Sequence, residues 1–467
     1  MIIDVGSILI DSYPIEVLKE FHMKQEINEH ATLKLKAILK SGIEDQPIYE
    51  TKENHPITVQ SSKKEIGVIF TGIVEFIAIQ QFQSVYEIEL VAKSSTILLD
   101  RTYKSRSFQD PSMKYMEVVK SCLKTYEQAD VICTIGQEKK IGQFLLQYEE
   151  TDWTFFKRLA SHQNVGLIPE IQQTGIKFTF GLPKGKRKEL KEQSYLLKKN
   201  ITDFMKFKMN EDATVTELDG LIYEVDTDES FNIGDEVIFQ DHAFIVSSIE
   251  TFLQQAHLIH RIQLRTKKGC NHPKQYNEKI IGLSIQGSVI NVTKDEVKLH
   301  LCIDDNQSSN TAYALKYATP YAADGQGGWY FMPEQGDTVL AYFPTKDEKD
   351  VFALHSLRTK NSGGNNPDIK YVRTKYGKEI KFSPGEILIT CVDNEMYIKL
   401  NEKTGIEIFS TKPIQLNSEE NITIESDKKV NITARDEIKL NAKLSLIQLS
   451  DDVTIQGKEV KVKLEHY

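Results

Sequence analysis

Written in eights from residue 398, the stretch Ile398–Leu440 reads IKLNEKTG IEIFSTKP IQLNSEEN ITIESDKK VNITARDE IKL. Each octad opens on an apolar-x-apolar pair: Ile398/Leu400, Ile406/Ile408, Ile414/Leu416, Ile422/Ile424, Val430/Ile432 and Ile438/Leu440. The pattern slips at Leu444–Leu449 and continues with Val453/Ile455 and Val460/Val462, while Ile380/Phe382 and Ile387/Ile389 stand as earlier members. Residues two apart share one face of a strand, so each octad reads as a short strand followed by a polar corner such as Asn417-Ser418-Glu419-Glu420. Burying two aliphatics contributes about 1.5–3 kcal/mol each. Ordering eight residues costs about 1–2 kcal/mol apiece in backbone entropy. One rung from one chain therefore does not hold. Stacked rungs with three chains closing a shared core do, and closure also removes exposed strand edges. The repeat predicts a β-solenoid or, better, an intertwined trimeric β-prism, with an ordinary meander as the alternative.

Upstream the patterns change. Asn361–Pro367 is a turn-rich linker. From Ile280 to Leu357 the chain reads as compact all-β, with strands at Ile285–Val292, Val297–Ile303, Ala312–Ala318 and Thr338–Pro344 and a Gly-rich turn at Gly325–Gly328. The first third has strand-like runs at Gly67–Ile79 and Val85–Leu90. Two helices interrupt them. Pro111 suits a first helical turn before an apolar face of Met113, Met116, Val119 and Leu123. Thr151 or Asp152 can cap a second helix over 152–163, with Trp153, Phe156, Leu159 and Ala160 inward. Strand patterns return at Gly175–Gly181 and over Gly220–Leu264.

The chain has 467 residues, which at roughly 150 per domain predicts about three domains. Lys+Arg 58 against Asp+Glu 67 leaves a formal charge of −9, which argues against nucleic-acid binding. Five scattered cysteines without a CxxC argue against a disulfide framework or a zinc ribbon. No apolar run is long enough for a membrane helix, and the start at Met1 lacks the basic region of a signal peptide, so folding in the cytoplasm is expected.

With this organisation in view, Gln147-Tyr148-Glu149-Glu150-Thr151-Asp152-Trp153-Thr154-Phe155-Phe156-Lys157-Arg158-Leu159-Ala160 resembles the Q-Y-x-E-S/T-D-x-x-F-x-x-R-L-A signature of VgrG and phage late-control D hub proteins. Phe331-Met332-Pro333-Glu334-Gln335-Gly336-Asp337-Thr338-Val339-Leu340-Ala341-Tyr342-Phe343 is similar to the family's F-x-P-E-x-G-D-E-V-L-V-x-F, with Thr338 in place of Glu. Leu98-Leu99-Asp100-Arg101 and Arg106-Ser107-Phe108-Gln109 resemble part of its first domain. The resemblance spans nearly the whole chain. It implies a mainly β protein with a few helices, in four parts. These are a tail-hub-like domain over 1–275, an OB-fold barrel over 276–358, a linker and neck over 359–375, and a trimeric β-prism over 376–467. The hub is expected to hold two related β-barrel-like subdomains carrying both helices.

The same resemblance implies a homotrimeric spike of a contractile injection machine that docks on an inner tube protein and on baseplate proteins. It would be delivered outward with the assembled particle and touch the target membrane only transiently. Tyr148, Asp152, Phe155, Arg158, Leu159, Pro333, Gly336 and Asp337 are its structural signature positions. The linker holds no lysozyme-like insert, and the chain stops after the last rung, so a PAAR-like tip or effector is expected to be a separate protein.

Residues that could carry chemistry are few. His257 and His260, three apart on a strand, point to opposite faces, which speaks against a metal site with Cys270, His272 or His242. Glu149, Glu150 and Asp152 at a helix start complement its dipole rather than form an acid–base pair. Arg158 is expected in an ion pair or in tube docking. Pro183–Lys191 carries five bases and reads as a solvated loop or helix face. Trp329, Tyr330 and Phe331 read as packing residues rather than base-stacking ones. His466 would bring three copies together at a trimer tip, where a metal is conceivable, but the H-x-H pair of metal-binding tips is absent. No G-x-S-x-G, H-E-x-x-H or Walker motif is present. The expectation is a spike without catalytic residues, cofactor or nucleic-acid partner. The alternatives are a spike with cell-wall-degrading or effector activity and, third, a β-solenoid adhesin.

Overall fold

The computed structural model describes residues 3–136, 138–192, 194–323, 327–358, 366–443, 445–449 and 458–459. The chain is mainly β and divides into two units, Met1–Ser362 and Gly363–Tyr467. Within the first, twelve strands join in one sheet made of two halves. The first half comprises Ile8–Ile10, Ile15–Glu26, Thr32–Leu39, Pro56–Ser61, Val68–Phe82 and Val85–Lys93. The second comprises Arg187–Glu189, Leu196–Lys199, Leu221–Thr227, Glu236–Phe239, His242–Gln254 and His257–Arg265. They meet where Ser248–Phe252 runs antiparallel to His22–Glu26, and a bulge between Val246 and Ser248 bends the strand at that join.

Each half has its own core. Phe21, Leu33, Leu35, Val59, Phe70, Ile88 and Leu90 fill the first. Val225, Val237, Phe244, Val246, Ile262 and Leu264 fill the second. Strict alternation produces this, since Leu33, Leu35, Ala37 and Leu39 fall on one face of Thr32–Leu39. The strand pattern over Gly220–Leu264 ends in two long strands, His242–Gln254 and His257–Arg265, turned at Gln255 and Ala256, which both have positive φ.

The two expected helices are Tyr115–Leu123 and Asp152–Ser161. Pro111 lies in a turn ahead of the first rather than inside it, and Glu117 accepts from the Lys114 backbone N–H at its start. Thr151 caps the second, its Oγ1 accepting from Thr154 N. Neither helix belongs to a sheet half, contrary to expectation. They pack together with the small sheet of Asp130–Cys133, Leu167–Pro169 and Lys177–Phe180 around Trp153, Phe155, Phe156 and Leu159. The Trp153 indole N–H donates to Asn28 O, tying this compartment to the first half. A helix over Ile201–Asn210 was not expected; Asn200 starts it by accepting from Asp203 N.

Residues 283–357 form a five-stranded antiparallel sheet. Its strands are Leu283–Thr293, Glu296–Leu301, Ala314–Lys316, Thr338–Phe343 and Phe352–Leu357. The third and fifth meet through a parallel bridge between Tyr317 and Ala353, with Ala318 N donating to Ala353 O, so the sheet closes into a barrel. Ile285, Val289, Leu299, Leu301, Val339 and Phe343 fill it.

In the second unit, Lys370–Arg373, Glu379–Ser383, Glu386–Val392, Met396–Asn401 and Gly405–Ser410 form an antiparallel meander. Its hairpins turn at residues of positive φ, Gly377, Gly385, Asn394 and Gly405. Ile438–Ala442 pairs with Ser445–Leu449.

Candidate functional site

The octad repeat takes two forms. In the meander the register aligns Val372, Ile380, Ile389, Ile398 and Ile408 in one row, and Phe382, Ile387, Leu400 and Ile406 in the next. All lie on one face of the sheet. All nine are more than a third exposed, so this apolar face has no cover among the described residues.

From 411 to 437 the pattern departs from the expected strands. Among the described residues none of this segment joins a ladder. Bends at 411–412, 419–420, 427–428 and 435–436 mark the corners at steps of eight. Ser410, Ser418 and Ser426 shape three of them, their hydroxyls accepting from the N–H of Lys412, Glu420 and Lys428. Ala434 takes the equivalent place in the fourth. A serine every eighth residue was a legible signal that attention to the apolar pairs alone passed over. Between the corners, Ile414, Leu416, Ile422, Ile424, Val430 and Ile432 are 50 to 72 % exposed. A run of large aliphatics so placed is not stable against water, and between the corners its backbone has no ladder partner among the described residues. Val453, Ile455, Val460, Val462 and His466 lie outside the described residues, as does Gly325 of the Gly-rich turn.

The signature residues come together elsewhere, at the junction of the helix compartment and the barrel. Arg158 is buried between Glu150 and Glu348. Its Nε and Nη2 donate to Glu150 at 3.0 and 2.8 Å, Nη1 donates to Glu348, and Nη2 also reaches Leu146 O at 2.7 Å. Burial alone would drive the proton off, but the two carboxylates outweigh it and hold the guanidinium above its ordinary range. With Glu348 on the barrel side, Arg158 is a clasp between the two parts. Its burial rules out direct docking on a tube.

Asp152 is likewise fully buried. It accepts from Lys104 and Tyr126 at 2.7 Å, from Gln147 at 3.0 Å and from Arg106. The network, rather than the helix dipole alone, explains the acid. Burial and Asp152 together raise the Tyr126 phenol above its usual range. Phe155 stacks on Phe108 with centroids 5.7 Å apart, Leu159 is fully buried, and Tyr148 packs on the barrel core with Phe144 and Leu146. Gln109 Nε2 donates to Leu299 O, Asn277 Nδ2 to Tyr148 O, and Ser107 N to Asp304, adding three crossings. Pro333 is buried, Gly336 has φ 93° and donates to Val289 O, and Asp337 accepts from Glu334 N, so this motif turns the chain into a barrel strand.

Other candidates separate. His257 is half exposed and pairs with Asp4 at 2.9 Å, whereas His260 is buried on the opposite face beside Thr251. Burial pushes the His260 imidazole down to about 4 and the Cys270 thiol up to about 12. Among the described residues no group of three His, Cys, Asp or Glu is placed to hold a metal ion. The basic run is neither loop nor helix at its centre. Arg187–Glu189 is a strand beside Glu236–Ile238, and Lys188 pairs with Asp235 at 3.1 Å. Trp329, Tyr330 and Phe331 are exposed rather than packed, because the barrel core is already filled and they sit on the loop before Thr338.

No family model and no curated protein matches the sequence. Solved structures do. A chain of the E. coli c3393 protein, described as a type VI secretion component with structural similarity to the T4 tail proteins gp27 and gp5, superposes with a TM-score of 0.55 at 12% identity. The match covers 75% of this chain and 99% of that one. Chains of the Francisella PdpA–VgrG complex in half-lidded and lidded forms give 0.52 and 0.53 at 9% and 10% identity. They cover 86% and 84% of this chain and 87% and 76% of theirs. The fold is that of the VgrG and gp27–gp5 hub proteins. In this VgrG-like fold the buried clasp joins the helix compartment to the barrel, and the octad face is left without a partner among the described residues.

Proposed function

We propose that the chain is a non-enzymatic, homotrimeric spike of a contractile injection system. The observation that carries this is the segment 411–437, whose aliphatic pairs are exposed and whose backbone joins no ladder among the described residues while its corners keep a step of eight. Two further copies supply what one chain lacks: strands to pair with and side chains to close a three-walled core. Residues 376–467 are then an intertwined β-prism. Residues 276–358 are a collar whose closed order, with third and fifth strands in parallel contact, is that of an OB fold. Residues 1–275 are the hub, with 359–375 as neck. Two sheet halves per chain put six similar lobes around a threefold axis, a match for a sixfold inner tube.

The function is mechanical. The hub caps the tube and meets the baseplate, the clasp passes load to the collar, and the prism transmits thrust to a separate tip protein or effector. Membrane contact is transient. The test is light scattering on the full chain. A mass three times the chain's 53.4 kDa is expected. A monomer at micromolar concentration would overturn the proposal, and release of fragments from peptidoglycan would replace it with the enzymatic reading.

A further inference from the structure

The helix Ile201–Asn210 stands off the second sheet half and leaves a cleft of about 700 Å³ between itself and the segment Lys268–Gln275. That volume lies in the range of roughly 300–1,000 Å³ in which proteins hold small ligands or a few residues of a peptide. One wall is apolar, made by Phe204, Phe207, Val215 and Ile222. The other carries Arg265, Gln263, Asn271 and His272.

Of the three cations that line the cleft, Lys206 and Lys268 are exposed and Arg265 is partly buried. Lys268 donates to Thr214 Oγ1 at 2.8 Å, and the lining acid Glu26 pairs with Lys24 at 2.7 Å. Two more acids of the cleft are engaged: Asp203 accepts from Asn200, and Asp219 accepts from Thr216 and Thr266. Glu211 sits exposed just past the helix end. Among the described residues Arg265 has no carboxylate partner, and its contact is a long 3.4 Å donation to Gly269 O. Beside it, His272 Nε2 is buried without a hydrogen-bond partner among the described residues. Burial and the nearby Arg265 cation push that imidazole down to about 4, so it is neutral at pH 7 and adds no charge of its own. A partly buried guanidinium without an anion is costly, and its planar fork fits a carboxylate through two parallel hydrogen bonds.

We propose that this cleft binds a short apolar peptide segment bearing one carboxylate, the apolar side chains lying on Phe204, Phe207 and Val215 and the carboxylate pairing with Arg265. The inference does not depend on the spike assignment, because the cleft belongs to a single hub and its occupancy is read separately from trimer mass. The probe is a fluorescein-labelled six-residue peptide containing two leucines and a phenylalanine among serines and ending in a free carboxylate, with its C-terminal amide as control. Fluorescence anisotropy on the full chain is expected to show the acid bound about tenfold more tightly than the amide. Arg265→Gln should abolish that preference, Arg265→Lys should keep part of it, and Phe207→Ser should weaken both peptides alike. Thermal melting of each variant checks that the hub is intact. Equal binding of acid and amide by the wild type overturns the proposal. So does no binding of either up to about 1 mM, or an Arg265→Gln protein that still prefers the acid.

Discussion

The barrel and the octad segment are written in the same alternating pattern and end in opposite states. In Glu296–Leu301 the residues Val297, Leu299 and Leu301 are fully buried. In residues 414–432 the aliphatics of every pair are half exposed or more. The barrel chain turns back and closes through Tyr317 and Ala353, so each apolar face meets another from the same chain. The octad chain advances by eight residues at each corner, and from 411 to 437 does not pair with itself among the described residues. Alternation says which side of a strand wants cover. Whether the cover comes from the same chain is decided by where the chain goes next.

The sharpest way to break this comparison is a charge inside the repeat. Ile424→Lys would place three ammonium groups around one axis without partners, at several kcal/mol each, and should turn the trimer into monomers by light scattering. A variant as trimeric and heat-stable as wild type would show that the repeat is not the shared core.

The next largest effect belongs to the closed unit. Arg158→Met leaves Glu150 and Glu348 buried without their cation, and should cost about 3–5 kcal/mol in urea unfolding followed by Trp153 fluorescence. On the proposed assembly the trimer mass should survive, since the prism rather than this clasp would hold it. Loss of both together would mean that the two regions are not separable.

Acid should loosen the closed unit through its buried imidazoles. Burial, helped by nearby cations, holds His162 down to about 3 and His260 and His272 to about 4, against about 6.5 in the unfolded chain. The unfolded state therefore binds more protons below pH 6.5. Stability is fully present above that pH and is lost as pH falls toward 4. Each histidine should account for about 2 kcal/mol at pH 5, read from urea midpoints at pH 7 and 5. Replacing all three by glutamine should flatten the slope.

The smallest effect is expected at a corner. Glu419 is exposed, and Glu419→Lys should change neither trimer mass nor melting by more than about 0.5 kcal/mol. A large effect there would place the corner inside an interface.

Much of the second unit was legible because its signal is local. Ile398/Leu400 and Ile406/Ile408 declare a strand face within three residues, and the eight-residue step repeats it. The helix at Asp152 was legible for the same reason, with a cap at Thr151 and an inward stripe at Trp153, Phe156 and Leu159. The helix at Ile201–Asn210 was missed because Phe204 is its one buried residue, so its apolar residues point several ways and show no clear period. The exposure of Trp329–Phe331 was misread because an aromatic cluster looks the same in sequence whether or not a core has room for it.

Sequence alone determined the strand faces, the repeat length, a helix start at Thr151 or Asp152 and the absence of known catalytic motifs, since each depends on residues a few positions apart. Only the tertiary structure decided that Arg158 belongs to a buried clasp, that Asp152 anchors four donors, and that Arg265 lines a cleft without a carboxylate partner among the described residues. Those depend on which distant residue, Glu348 at 190 positions from Arg158 or Lys104 at 48 from Asp152, the fold carries to the site. A charged side chain has the same letter whether water or a buried partner stabilises it, and the choice is made by the packing around it.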